Sequence, residues 1–305
     1  MTTKDKIVAV IGATGQQGGA VAKRLLAEGW RVRAISRDPA KPAARALAAA
    51  GAEVVAADMD DRASLDAAFA GAWGVYSVHT GAFDGTEYAD DPEHEVRSGV
   101  NVADAAKVAG ASHLVYSSST GVDNPEMVGV LPILAHKKAV EAHIRSLGIS
   151  YTILRPTSFM ENYLGAIRGL RDGALVTPLA PTMAEPLIAV ADIAAFVALA
   201  FADPKAHDGL VHELAGDQLT QTDIAAALGR TAGREVPYVQ VPIEQLRAIS
   251  EALAEGLDMM NRVAMNVDIE GLRKWHPGLL DFEAWLAANR DAITAKVTQA
   301  ETTGR

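Results

Sequence analysis

The fold of this chain is decided by one stretch near its start, Ile7-Val-Ala-Val-Ile11-Gly12-Ala-Thr-Gly15-Gln-Gln-Gly18-Gly19, in which an apolar strand runs into a glycine turn. Gly12 permits a tight bend, Gly15 leaves the backbone open to phosphates, and Gly18 lets the following helix pack close to the strand. The free N–H groups of that helix's first turn form an anion site. The spacing is GxxGxxG, and the strand before it and the helix after it predict a dinucleotide-binding turn.

The end of the second predicted strand, residues 31–36, indicates which dinucleotide is bound. Sites for NAD usually carry an acid about 20 residues past the glycines, whereas Arg37 stands here. A guanidinium can hold a 2′-phosphate through two parallel charge-assisted bonds, and Lys41 adds a second positive charge. Asp38 is expected to be the N-cap of a helix that has Pro39 at its first position. Arg37 could instead be a solvated surface residue, but the missing acid favours NADP(H).

Composition excludes several classes of function. The chain has 305 residues, 49% of them hydrophobic, and a net charge of −10, which argues against nucleic-acid binding. No apolar run approaches the roughly 20 residues of a membrane span, and no signal peptide is evident, so we expect a cytoplasmic protein. There are no cysteines, and the eight histidines show no metal-ligand spacing, so we predict no metal site.

Strand-like and helix-like segments alternate through the first half of the chain, which predicts an α/β fold with a doubly wound parallel sheet of the Rossmann type. Ligands of such sheets bind beyond the carboxyl ends of the strands. The predicted strands are 6–11, 31–36, 53–57, 74–78, 113–117 and 150–154, and the predicted helices are 20–28, 39–50, 64–70, 93–109 and 134–147.

The pattern loosens after residue 155, and a second unit is predicted there. We expect residues 1–155 to form the NADP-binding Rossmann domain, with residues 187–215 returning to it. Residues 156–305 would form a smaller, mostly helical C-terminal α/β lobe that shapes the substrate site. Within it, Thr220 with Asp223 three residues later is typical of a helix start.

Six motifs in chain order resemble the NmrA-like branch of the atypical short-chain dehydrogenase/reductase superfamily. They are the glycine turn at 12–19, Ser36-Arg-Asp-Pro39, Gly51-Ala-Glu-Val-Val55 followed by Asp58-Met-Asp-Asp61, Val115-Tyr-Ser-Ser118, Lys137-Lys-Ala-Val-Glu141, and Tyr151-Thr-Ile-Leu-Arg-Pro-Thr-Ser-Phe-Met-Glu-Asn162. The last is the most specific, and together they span about residues 5 to 165.

The resemblance implies a cofactor contact for each matching position. In order along the cofactor these are Thr14, Gly15, Gln16, Gln17 and Gly18 around the pyrophosphate, Arg37 and Lys41 on the 2′-phosphate, Asp58 and Met59 beside the adenine, His79 and Thr80 at the nicotinamide ribose, and Thr157 to Phe159 near the carboxamide. Some have structural alternatives: Asp58 could cap the next helix, Met59 could be core, and Thr80 could close a turn.

The proton donor of most short-chain reductases, the tyrosine of Tyr-x-x-x-Lys, is absent. None of the six tyrosines is followed four residues later by lysine. Some reductases of this branch manage with a lysine on the equivalent helix, and Lys137 is at the matching position. It could equally form an ordinary i,i+4 pair with Glu141 on a solvated helix. His136 and Ser118 are the other catalytic candidates, although either could be a polar residue without a catalytic role.

Acceptors that need little acid assistance suit such a site, and quinones, azo compounds and enones are of this kind. Phe83, Met160 and Tyr163 are candidates for an apolar substrate surface near the nicotinamide, or they are ordinary core residues. We therefore expect an NADPH-dependent reductase acting on a small molecule, with a homodimer left open. The alternative is a non-catalytic NADP(H) sensor that docks to a regulatory protein.

Overall fold

The structure, a computed structural model, describes residues 3–79, 91, 93–165 and 169–299. Two of the predicted site residues, Thr80 and Phe83, lie outside the described residues.

Thirteen strands are formed by the described residues. They are β1 (Ile7–Val10), β2 (Arg31–Ser36), β3 (Glu53–Ala56), β4 (Gly74–Val78), β5 (His113–Ser117), β6 (Tyr151–Pro156), β7 (Ser158–Phe159), β8 (Gly169–Arg171), β9 (Ala174–Thr177), β10 (Ala184–Ile188), β11 (Leu210–Leu214), β12 (Asp217–Thr220) and β13 (Tyr238–Gln240).

The same residues form fourteen α-helices and two short 3-10 turns, at Thr3–Asp5 and Met160–Tyr163. The helices are α1 (Gln16–Ala27), α2 (Pro42–Ala49), α3 (Arg62–Phe69), α4 (His94–Val108), α5 (Pro125–Val130), α6 (Pro132–Ser146), α7 (Val190–Ala202), α8 (Pro204–His207), α9 (Gln221–Ala232), α10 (Ile243–Arg247), α11 (Glu251–Arg262), α12 (Ile269–Trp275), α13 (Phe282–Ala288) and α14 (Arg290–Gln299).

Seven parallel strands form the central sheet in the order β11-β6-β5-β4-β1-β2-β3. The chain moves outward from β1 through β2 and β3, and then returns to the other side of β1 with β4. The order therefore reverses between β1 and β4, and sheets of this kind bind ligands at such a point. The predicted doubly wound parallel sheet is confirmed, and its six predicted strands agree with the observed ones within two residues.

Both faces of the sheet are covered by helices, and the alternation of β1 shows why. Val8 and Val10 face a core cluster that contains Leu25 of α1 and Phe201 of α7. Ala9 faces the opposite cluster, to which α3, α4 and α6 contribute. Because successive strand residues point to opposite faces, an apolar strand with helices on both sides buries every side chain.

A second set of elements lies around two small sheets, β12-β10-β7 and β13-β9-β8. Its core cluster includes Leu175, Ile224, Phe282 and Trp285. The hydroxyl of Thr220 accepts a hydrogen bond from the N–H of Asp223 and caps α9, as the sequence predicts. In the part of the chain that the structure describes, no helix is long and apolar enough to cross a membrane.

Two predicted helix starts are wrong. The first helix begins at Gln16 rather than residue 20, because Gly18 and Gly19 continue the helix instead of belonging to the turn. The second begins at Pro42 rather than Pro39. The carboxylate of Asp38 accepts from the N–H of Ala40 in a local turn, and the residue before α2 is Lys41.

Candidate functional site

The glycine turn owes its shape to two close approaches. Gly12 has φ +65°, a conformation that side chains disfavour. At Gly18 a Cβ would lie 2.3 Å from the carbonyl oxygen of Gly12. These two glycines therefore bring the start of α1 against the end of β1.

The start of α1 is left open to an anion. Its N-cap is Gly15, which has extended φ and ψ angles and no side chain that caps the helix. Gly15 is exposed and its backbone angles suit any residue, but a Cβ there would lie 3.3 Å from the carbonyl oxygen of Gly12, which is a tight contact. A side chain at this position would stand in front of the unsatisfied N–H groups of the first turn. The position fits the close approach of a phosphate group.

A groove of about 520 Å³ runs from this turn along the carboxyl ends of β1, β2 and β4. Ten of the predicted cofactor residues line it: Gly12, Thr14, Gly15, Gln16, Gln17, Gly18, Arg37, Asp58, Met59 and Phe159. Its other lining residues are Ile11, Ile35, Ser36, Ala57, Val78 and His94. The structure thus brings together residues that are 147 positions apart in the sequence (from Gly12 to Phe159).

Arg37 is exposed at the rim of this groove. Among the described residues, no carboxylate forms an ion pair with it. The neighbouring acid, Asp38, uses one carboxylate oxygen to accept from the N–H of Ala40, at 2.9 Å. Lys41 is exposed at the N-cap of α2 and is not one of the residues that line the groove. The guanidinium of Arg37 is therefore available to a ligand.

At the end of β3, Asp58 and Met59 border the groove in different ways. A carboxylate oxygen of Asp58 accepts from the N–H of Asp60 at 3.1 Å, while Asp61 caps α3. The alternative in which Asp58 caps that helix is therefore wrong. Met59 lines the groove and also packs against the core, so its two interpretations are compatible.

His94 is a lining residue that the sequence analysis missed. It lies at the start of α4, and its Nε2 is 3.0 Å from Oδ2 of Asp60. It borders the groove because the start of α4 lies beside Asp60, which follows β3. No local motif around residue 94 reveals that placement.

Gln17 connects the glycine turn to the neighbouring strands. Its side-chain oxygen accepts from the hydroxyl of Ser117 at 2.7 Å and from that of Tyr76 at 3.4 Å. Burial raises the pKa of Tyr76 well above its usual range, so this tyrosine stays neutral and donates. The amide of Gln17 thus fixes the start of α1 against the carboxyl ends of β4 and β5.

Lys137 is buried at the carboxyl end of β4 rather than exposed on a helix. Its Nζ lies 2.8 Å from Oε1 of Glu95 on α4 and donates to the carbonyl oxygen of His79 at 3.1 Å. Glu141, the i,i+4 partner considered in the sequence, binds Arg155 instead. The alternative of an ordinary solvated Lys–Glu pair is therefore wrong.

His79 is buried beneath this lysine, and its ring is not among the residues that line the groove. Its Nε2 lies 2.8 Å from the hydroxyl of Ser77. Burial, together with the charges of Lys137 and His94, lowers the pKa of His79 to about 3. The imidazole is thus neutral. The backbone carbonyl oxygen of His79 is the atom that accepts the hydrogen bond from Nζ of Lys137.

The remaining catalytic candidates lie at different depths. His136 is partly exposed, with its Nδ1 3.9 Å from Oε2 of Glu95. Ser118 is buried directly after β5. Thr157, a predicted cofactor contact, is also buried and donates its hydroxyl to the carbonyl of Leu214 at 2.9 Å.

Two predicted substrate residues lie in the core of the second set of elements. Met160 and Tyr163 are 0% and 1% exposed, and the hydroxyl of Tyr163 donates to Glu185 at 3.1 Å. Both side chains belong to the core cluster that includes Phe282 and Trp285 of α13, and neither lines the groove. They are core residues, which is the alternative that the sequence left open. Phe159, one residue earlier, lines the groove.

No group of three His, Cys, Asp or Glu side chains that could hold a metal ion occurs in the described ranges 3–79, 91, 93–165 and 169–299.

The model of the NmrA-like family matches residues 4–278 of the chain. This chain belongs to the NmrA-like family. It is 32% identical over 260 residues to quinone oxidoreductase 2 of Escherichia coli (strain K12), covering 83% of this chain and 85% of that protein. It is also 40% identical over 164 residues to the NmrA-like family domain-containing oxidoreductase FrzB of Cladobotryum sp.. That match covers 52% of this chain and spans about half, 48%, of FrzB.

A solved structure of an NADPH-dependent quinone oxidoreductase (QOR2) from Escherichia coli resembles this fold closely. The TM-score is 0.74 at 27% sequence identity, over 92% of this chain and 98% of that one.

Proposed function

We propose that this member of the NmrA-like family is an NADPH-dependent reductase that transfers hydride to a conjugated small-molecule acceptor, namely a quinone, an azo compound or an enone. The observation that carries the proposal is the groove itself. Its floor is the glycine turn, and its rim carries Arg37 without a carboxylate partner among the described residues.

The chain's residues fit two parts of NADP(H), the pyrophosphate and the adenosine that carries the 2′-phosphate. The uncapped start of α1 behind Gly15 would hold the pyrophosphate through backbone N–H groups. Arg37 would hold the 2′-phosphate. At the corresponding position, NAD sites usually carry an acid that binds the ribose hydroxyls. The carboxylate of Asp38 is occupied by its own turn. Asp58 and Met59 would border the adenine.

Lys137 is the group we assign to proton delivery. When bound, NADPH supplies a hydride from its nicotinamide ring. An ammonium has three N–H donors. That of Lys137 donates one to the carbonyl of His79 and lies 2.8 Å from Oε1 of Glu95 as an ion pair. A further donor would serve a ribose hydroxyl or an acceptor oxygen at the carboxyl end of β4. Lys137 thus takes over the position that Tyr-x-x-x-Lys leaves vacant.

A conjugated acceptor follows from this donor set. Because the chain has no tyrosine of the Tyr-x-x-x-Lys pattern to donate a proton, the acceptor must spread the negative charge left by hydride addition. Quinones, azo compounds and enones do so. The similarity to quinone oxidoreductase 2 supports the same class, while the non-catalytic sensor is not favoured by relatives that are named oxidoreductases.

The proposal is tested by incubating purified protein with NADPH and each acceptor class, and by identifying the product by mass spectrometry. The reductase predicts a product two hydrogens heavier than the acceptor, formed with NADP⁺ in equal amounts. Tight NADPH binding without product for any acceptor class would contradict the proposal and restore the sensor. We further propose a cytoplasmic location, which agrees with a chain that has no cysteine.

A further inference from the structure

Glu95 is a buried acid that neither the motifs nor the family resemblance identify. Its side chain is 1% exposed and lies at the second position of α4, facing the side chain of Lys137, which is 9% exposed. Among the described residues, only Lys137 and His136 place a basic side-chain nitrogen within 4.0 Å of this carboxylate. Burying an ion pair costs more in desolvation than it commonly returns in stability. A buried pair at the ligand-binding edge of the sheet is therefore a candidate for function.

Glu95 is the counter-charge of Lys137, as the other titratable groups that surround this pair show. From β4, His79 is neutral because burial and nearby positive charges lower its pKa to about 3. From β5, Tyr116 is neutral because burial, together with the charges of Glu95 and Glu141, raises its pKa well above the usual range. On α6 itself, Glu141 is bound to Arg155, and His136 lies on the solvent side of Glu95.

We propose that Glu95 is a positioning residue for the reaction proposed above: its buried carboxylate holds Nζ of Lys137 at the carboxyl end of β4, where the acceptor's oxygen takes its proton. With an enone, hydride forms a C–H bond at the β-carbon and the π electrons move to the carbonyl oxygen. That oxygen takes a proton from Nζ of Lys137. NADPH is oxidised to NADP⁺, the enone is reduced, and the neutral amine regains a proton from solvent.

A pair of acceptors separates this role from a structural one. An enone needs a hydride and a proton, whereas a triarylmethyl cation dye needs a hydride alone and becomes a neutral triarylmethane. Removal of the charge in Glu95→Gln should lower kcat with the enone about tenfold or more and leave kcat with the dye within about twofold.

Matched variants keep the test decisive. Glu93→Gln removes the same charge from an exposed position two residues earlier, and it should leave both rates unchanged. If Glu95→Gln does not fold, Glu95→Asp keeps the charge but withdraws it by one methylene, and it should lower the enone-to-dye rate ratio. Equal loss of both rates, or loss of neither, would overturn the role of Glu95. A wild-type protein that reduces neither acceptor would overturn the proposed function instead, and the role of Glu95 with it.

Discussion

Arg155 on β6 and Glu141 on α6 are joined by two parallel hydrogen bonds, from Nε to Oε1 at 2.9 Å and from Nη2 to Oε2 at 2.7 Å. The side chain of Glu141 is 1% exposed. Burial alone would raise its pKa, but the hydrogen bonds and the charge of Arg155 outweigh burial and lower it. Since Lys137 lies one turn earlier on α6, this pair anchors the helix that carries the proposed proton donor.

Replacement of Arg155 by methionine should destabilise the fold by about 3–5 kcal/mol, because it removes the buried counter-charge of Glu141. Urea denaturation at neutral pH measures this loss. Arg145→Met is the matched control, since Arg145 contacts the same carboxylate from a side chain that is 38% exposed. It should cost no more than about 1 kcal/mol. Equal losses for the two variants would show that Arg155 is not the anchor.

The preference for NADPH should depend on Arg37. Arg37→Ala removes a charge-assisted contact to the 2′-phosphate, and we expect NADPH to bind roughly ten- to a hundredfold more weakly. NADH, which lacks that phosphate, should bind within about threefold of wild type. Fluorescence titration of both cofactors measures the effect. Arg31→Ala is the control, since Arg31 is an exposed arginine at the start of β2, the strand that Arg37 follows. A parallel loss of NADH affinity would argue that Arg37 acts on the fold instead.

Gly18→Ala should damage both the turn and the cofactor site. The new Cβ would lie 2.3 Å from the carbonyl oxygen of Gly12 and 2.8 Å from that of Ile11, and both are backbone atoms that cannot move independently. We expect a loss of about 2 kcal/mol or more in thermal or chemical denaturation. Gly256→Ala, in the interior of α11 with its nearest neighbour 4.0 Å away, should be neutral or stabilising by about 0.5–1 kcal/mol. Tolerance of alanine at residue 18 would contradict the close approach.

Stability should fall as the pH drops below about 6.5, the ordinary histidine pKa. Burial lowers the pKa of His113 to about 4 and, with nearby charges, that of His79 to about 3. Both are neutral in the folded state, so the unfolded chain gains a proton at each below pH ~6.5. Each therefore removes about 1.4 kcal/mol of stability per pH unit as the pH falls toward its folded-state pKa.

His113→Asn tests this pH dependence. Its free energy of unfolding, measured in urea between about pH 5 and 7, should fall less steeply with acid than that of wild type, by about one proton. The half-buried His143 provides the control, because His143→Asn removes a histidine that contacts Asp104 at the surface. An unchanged slope in His113→Asn would mean that His113 takes up its proton in the folded state as readily as in the unfolded one.

The sheet and the glycine turn could be predicted because their signals are local. An apolar strand followed by Gly12 and Gly18 has few other ways to fold, and the alternating segments fix a parallel sheet. Helix starts were less predictable. The sequence predicts Asp38 as the N-cap of the second helix, whereas the N-cap of α2 is Lys41. Only the three-dimensional contacts show that the carboxylate of Asp38 accepts from the N–H of Ala40 instead.

The polar network around Lys137 could not be read from the sequence. The spacing suggests Glu141 as the partner, because side chains four residues apart on a helix are neighbours. The observed partner, Glu95, lies 42 positions away on another helix. Glu141 forms its ion pair with Arg155, and Lys137 instead lies toward the end of β4. Such choices depend on which buried charges meet after the helices pack, and no local pattern encodes them.

Transfer of a labelled hydride tests the central claim most directly. NADPH carrying deuterium on either the 4R or the 4S face of the nicotinamide is incubated with the protein and an enone, and the product is examined by mass spectrometry and NMR. A reductase predicts deuterium at the β-carbon of the product from one of the two labels and none from the other. Product without deuterium from either label, or bound NADPH without product, would contradict the account.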